Sequence, residues 1–326
     1  MWVLPKGVAF IEALDLASVE LPKLLGRFRS DAVTGYAHLH FPSSQAYFLF
    51  IEGRFVDAVC EEDGERRVDL PAISRTFDLS LSVPGRMDAY RVAPDLARSL
   101  HGLFHGEALF EGQNLALIDV RSLLAKVKSD RLTGALRVYT ADRSGLIFFL
   151  SGNPLGFFHD GSESISTSAN EYQKIASLPG TKVDLHAFAD GSPALDLLEV
   201  IDTPRLWATT RAHHAERRAA ESAAQEEAER RRRGQVIAEL DRDLRSLLAG
   251  PLGAKAGDLV DRILAARQGV VALADPEIVE PLLSTVEKAA KLLVGSSRAA
   301  ALRADVATLL AERQSTLVPR PPTPLS

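Results

Sequence analysis

Ser129–Phe158, SDRLTGALRVYTADRSGLIFFLSGNPLGFF, decides how this chain is read, because Ser30–Val59, SDAVTGYAHLHFPSSQAYFLFIEGRFVDAV, carries the same plan ninety-nine residues earlier. The two stretches align without a gap: Ser30 on Ser129, Asp31 on Asp130, Thr34 on Thr133, Gly35 on Gly134, Phe50 on Phe149 and Gly53 on Gly152. Few identities survive, but the apolar run Tyr47–Ile51 lies over Leu146–Leu150, and a glycine follows each run two residues later. An internal repeat constrains the fold before any single element does.

Each copy predicts a helix followed by a three-stranded meander. Leu21, Leu24, Leu25 and Phe28 recur at helical spacing within Val19–Arg29, as do Val120, Leu123, Leu124 and Val127 within Asp119–Lys128. Both helices stop at Ser-Asp, and Thr34-Gly35 or Thr133-Gly134 turns the chain into a strand. First strands are expected at Tyr36–Phe41 and Ala135–Tyr139. The second strands, Ala46–Ile51 and Leu146–Leu150, are apolar throughout, which implies that both faces are covered. Tight turns at Gly53 and Gly152 lead to third strands at Phe55–Val59 and Leu155–Phe158.

Each copy then enters a polar loop, Glu61–Glu65 or His159–Asn170, and the serine-rich part of the second is expected to be too polar to pack. Matched turns, Ser82–Gly85 and Ser177–Gly180, return the chain to a strand at Met87–Tyr90 and Val183–His186. The repeats are therefore placed at 1–107 and 108–203.

Past Pro204 the composition changes. Ala212–Arg233 has no large apolar residue and carries six arginines against five glutamates, which predicts a solvated, salt-bridged helix over 204–235. Ile237, Leu240, Leu244 and Leu247 then form an apolar seam that wants a partner. Further helices are expected at Ala254–Arg267, Pro276–Leu293 and Arg298–Arg313, punctuated by Gly250-Pro251, Gly269 and Gly295–Ser297. They make 236–315 a small helical bundle, and the proline-rich 316–326 an extended tail. The fold class is α+β: two tandem repeats, a charged helix and an all-α C-terminal part.

Bulk properties narrow the function. An apolar content of 46% with 25% charged residues is that of a globular chain. A net charge of −5 argues against nucleic acid as the main partner. The single cysteine, Cys60, excludes an intrachain disulfide and a multi-cysteine zinc site. No stretch reaches the ~20 apolar residues that a bilayer span needs, and the N-terminus lacks a signal-peptide core, so the expected location is the cytoplasm.

Catalytic signatures are missing: no phosphate-binding glycine loop, no GxSxG elbow and no HExxH motif occurs. No catalytic residue, cofactor or metal is assigned. Three histidine pairs and one pair of aspartates invite site readings, each beside a plainer one. His38 and His40 share a strand face that is expected to meet solvent. His101 and His105 stand four apart on a helix with Glu107 close by, either as a ligand cluster or as an ordinary helix end. His213-His214 falls in the charged helix, and Asp31 and Asp130 suit turn hydrogen bonding.

The paired pattern resembles the PATAN domain family. The matching residues are Leu24, Leu25, Thr34, Gly35, Phe50, Gly53 and Ala58 in the first copy, and Leu123, Leu124, Thr133, Gly134, Phe149 and Gly152 in the second. Phe157 departs from the small residue that Ala58 keeps. The resemblance implies a non-catalytic adaptor that works through protein contacts in bacterial signal transduction, such as motility, pilus or two-component output. A protein partner is expected, with self-association through the C-terminal helices also open. The alternative is a DNA-associated regulatory or stress-response protein using arginine-rich helices, and an enzyme with a site assembled from distant residues is a third class.

Overall fold

The structure, a computed structural model, describes residues 3–189, 194–253, 257 and 276–317. The chain divides into two compact units, Met1–Arg217 and Arg218–Ser326. The first holds two sheets. Strands β1 (Val8–Asp15), β2 (Gly35–His40), β3 (Ser44–Ile51), β4 (Arg54–Glu62), β5 (Glu65–Val68) and β6 (Arg86–Arg91) form one, in the order β1-β6-β2-β3-β4-β5. Strands β7 (Glu107–Asn114), β8 (Leu132–Tyr139), β9 (Ser144–Leu150), β10 (Asn153–His159) and β11 (Lys182–Ala189) form the other, in the order β7-β11-β8-β9-β10. All pairs are antiparallel.

Apart from the extra edge strand β5, the two orders are the same, so the duplication read from the sequence is a duplication of topology. Helices α1 (Leu21–Ser30) and α4 (Val120–Ser129) follow the first strand of each copy, with a 3-10 turn between. The equivalence reaches individual hydrogen bonds. Asp88 accepts the Ala13 N–H at 2.8 Å, and Asp184 accepts the Gly112 N–H at 2.7 Å. Both bonds hold a bulge in an edge strand, at residues with positive φ.

Those first strands, β1 and β7, went unread in the sequence because the bulges break their two-residue alternation. Helices α2 (Asp69–Ser82) and α5 (Asn170–Ala176) were hidden differently. The buried face of α2 mixes Ala72, Ile73 and Phe77 with Thr76 and Ser80, whose hydroxyls bond the helix's own carbonyls. In α5 only Tyr172 and Ile175 are buried.

Helix α3 (Pro94–His105) lies between the sheets. Its Ala97, Leu100, Leu103 and Phe104 share one core with Tyr47, Leu49 and Val59 of the first sheet and with Ala135, Leu146 and Phe148 of the second. The opposite face of the first sheet packs on α1 and α2, and that of the second on α4 and α5. Strand β3 is accordingly buried along its whole length, as its apolar run required.

The serine-rich loop corrects an expectation. Phe157 and Ser166 exchange two backbone hydrogen bonds of 2.8 Å, Lys6 N–H reaches the Glu163 carbonyl, and Ile165 packs against the central core. One isoleucine among the serines is enough to seat it.

Helix α6 (Leu197–Val200) precedes α7 (Thr203–Leu252), which runs unbroken through Gly250 and Pro251, where a stop was expected. Its first turns are not solvated: Trp207 is buried edge-on to Phe77 in the core of the first repeat. From Ala215 to Gln235 the helix is exposed, with Glu227–Arg231 and Glu229–Arg233 ion pairs at 2.8 Å. In the second unit, the end of α7 packs with α8 (Pro276–Val294) and α9 (Ser296–Leu317). The helix expected at 254–267 and the tail from Val318 lie outside the described residues, Gly257 excepted.

Candidate functional site

The six repeat-turn residues are structural. The Thr34 hydroxyl accepts the Glu52 N–H, and that of Thr133 accepts the Ser151 N–H, each at 2.9 Å. Gly53 and Gly152 follow at φ of 79° and 78° and donate to the carbonyls of Val33 and Leu132 at 2.8 Å. A Cβ at Gly53 would lie 2.5 Å from the Arg29 carbonyl oxygen, so the turn is pressed onto the end of α1. Gly35 and Gly134 answer to close approach as well. A Cβ there would fall 2.0 Å from the Tyr90 oxygen and 2.1 Å from the His186 oxygen. Over Gly134 the central helix also comes near, and Ser99 donates to the Gly134 carbonyl at 2.6 Å.

The seam finds its partner within the second unit. Leu240 and Leu244 are buried with Leu248 against Leu283 and Val286 of α8 and Leu302, Val306 and Leu310 of α9, and Leu247 packs on the same cluster. The side chain of Ile237 lies outside the described residues. The candidate interaction seam at Leu240, Leu244 and Leu247 thus meets helices of the same chain, and its apolar faces build a helical core.

An open apolar face is found instead on the second repeat. In the first repeat, Leu21, Leu24, Leu25 and Phe28 of α1 are all buried, in one core with Leu197, Leu198, Ile201, Leu206 and Trp207 from α6 and α7. Polar contacts fix this cover. Asp196 accepts the Phe55 N–H at 3.1 Å, and Arg29 pairs with Asp196 at 3.5 Å and Glu199 at 3.0 Å. On α4 the corresponding Leu123 and Val127 are buried, but Val120 and Leu124 are more than a third exposed. Leu117 beside them in the sequence is 86% exposed. Lys128 stands where Arg29 stands in the first repeat, with no ion pair among the described residues.

Of the histidines, His38 is not solvent-facing. Its ring stacks on Tyr47 at 4.2 Å and Nε2 bonds Gln45 at 3.0 Å, while His40 pairs with Asp88 at 3.2 Å. Burial, aided by the neighbouring His40, pushes the His38 pKa down to about 4.

His101 and His105 do meet carboxylates, though not Glu107. His101 Nδ1 lies 2.7 Å from Asp57 Oδ2, while His105 Nδ1 lies 4.0 Å from Asp57 Oδ1 and 3.8 Å from Asp69 Oδ2. Asp57 is buried on β4, and desolvation pushes its carboxyl up to about 6 against the opposing pull of both imidazoles. Neither aspartate was singled out in the sequence. The available signal was a charged residue inside the otherwise apolar FVDAVC of β4, a position that an ionisable group occupies only with a partner.

The geometry defines a tandem-repeat α+β protein in which one repeat is closed by the chain's own helix, while among the described residues no helix is packed in the same way on the other. No protein-family model, curated protein or solved structure matches the chain. Among the described residues, no helix is long and apolar enough to cross a membrane.

Proposed function

We propose that the protein is a non-catalytic adaptor of the PATAN-like kind in bacterial signal transduction, which holds an amphipathic helix of a partner protein on the open face of its second repeat. One observation carries this reading: the same place in the first repeat already receives a helix, in cis. The occupant's chemistry follows from that bound example. It presents leucine or an aromatic residue to Val120 and Leu124, and an acidic residue at its start to Lys128, as Asp196 and Glu199 meet Arg29. Apolar anchors at helical spacing with one charge pair to set the register are the usual terms of helix-in-groove recognition.

A photo-crosslinking amino acid at position 124, introduced in the native host, tests the proposal. The expected product joins it to one partner, through a segment with that acidic start and apolar stripe, and Val120→Asp abolishes the adduct. Adducts confined to the chain's own C-terminal helices or to a second copy would show the face to be covered by the protein itself, and an absence of adducts would remove the adaptor reading.

A further inference from the structure

We propose that Asp57, Asp69 and His105 form a binding site for one divalent transition metal ion of the zinc type, with His101 as the outer partner that orients Asp57. This is independent of the partner-helix reading. The three residues come from three elements: Asp57 from β4, Asp69 from the first position of α2, and His105 from the last position of α3. One ligand atom from each lies within 4.8 Å of the other two. A tetrahedral zinc with bonds of about 2.0–2.2 Å places its ligands about 3.4 Å apart, so a spacing within 4.8 Å needs a closure of at most about 1.4 Å. The movement falls on the two accessible side chains, since His105 is 57% and Asp69 32% exposed while Asp57 is 2% exposed.

Two features separate this arrangement from an ordinary ion-pair cluster. The first is the division of labour at Asp57: Oδ2 is held by His101 at 2.7 Å, and Oδ1 is the oxygen that faces His105, at 4.0 Å. A hydrogen bond to the second oxygen of a ligating carboxylate is how metal sites fix their ligands. The second is the repeat itself. Position 57 corresponds to Gly156 in the second copy, so this fold forms without a carboxylate there. The residue set selects the ion. One imidazole and two carboxylates suit zinc better than magnesium or calcium, which favour all-oxygen shells, and the exposed side of His105 leaves a fourth position for water.

The experiment uses the full-length chain, stripped with a chelator and then titrated with zinc chloride by calorimetry and thermal melting. One equivalent is expected to bind, raising Tm by about 5 °C at a hundredfold excess over Kd. Asp69→Asn and His105→Gln alter accessible side chains and are each expected to weaken binding at least about tenfold. His101→Gln is expected to weaken it by roughly the same factor without removing a ligand. Unchanged circular dichroism of the metal-free variants separates loss of the site from loss of the fold. No binding by the wild type, or binding that survives both Asp69→Asn and His105→Gln, would overturn the proposal.

Discussion

Gly134 has a strand on one side and the central helix on the other. Its missing Cβ is what admits the His186 carbonyl, and a Cβ at Gly102 on the helix would itself lie 2.3 Å from the Thr133 oxygen. Gly134→Ala is expected to destabilise the first unit by about 3 kcal/mol in urea unfolding, because backbone on both sides leaves nothing soft to move. Gly26→Ala is the control. That glycine sits mid-helix on the exposed side of α1 with open space at its Cβ, so alanine should stabilise by roughly 0.5–1 kcal/mol.

His38 makes a second prediction, about pH. Folded, its ring is held neutral down to about 4 by burial and by His40, with Asp88 and the Gln45 hydrogen bond pulling the other way. Unfolded, it titrates near 6.5. Above that pH both states are neutral and the ring is indifferent. As pH falls from about 6.5 toward 4, the unfolded chain takes up a proton that the folded one refuses, and stability drops by up to roughly 1.4 kcal/mol per pH unit. Urea midpoints compared at pH 7, 6 and 5 should fall more steeply in the wild type than in His38→Gln. The difference between the two isolates this ring from Asp57, whose raised carboxyl pKa gives a slope of the opposite sign. Equal slopes in the two proteins would mean that the ring is already protonated in the fold.

At the scale of elements, legibility followed periodicity. The α1 and α4 helices and the meanders were readable because one apolar stripe or run specifies each of them, and the helix ends and turns fell within a residue or two of the expected places. The edge strands β1 and β7 were not readable. Leu14, Ile11 and Phe10 reach the core through bulges, which place them off any two-residue rhythm. Helix α3 was half legible: His101 and His105 were placed on a helix, but nothing local says that a twelve-residue element will be shared by two sheets. That fact depends on both copies being present. Leu100 and Leu103 join a core drawn from both sheets, and Ser99 and Gly102 touch the second at Thr133 and Gly134, an arrangement visible only once the copies are folded. The candidate sites divide along the same line. The repeat turns are local and were found, the seam was found but its partner was not, and the open face on α4 became visible only by comparing two folded copies.

At the scale of the molecule, the stability of the chain should separate into two independent parts. The two repeats of the first unit share the core around α3, so both belong to one cooperative body. The second unit rests on its own cluster, in which Leu240, Leu244 and Leu248 meet Leu283, Leu302 and Val306. Between them the described part of α7 carries only exposed side chains from Ala215 to Gln235, too little buried area to couple one core to the other. Leu302→Ala removes a buried side chain from the second cluster and is expected to cost it about 2–4 kcal/mol. A core of a few short helices has little stability to spare, so such a loss moves its unfolding to much lower denaturant. Hydrogen exchange read by mass spectrometry resolves the two units in one experiment. Protection in α8 and α9 should collapse in Leu302→Ala while β3, β9 and α3 keep theirs unchanged. Parallel loss of protection in both units would mean that the charged helix transmits stability, and that the chain unfolds as one.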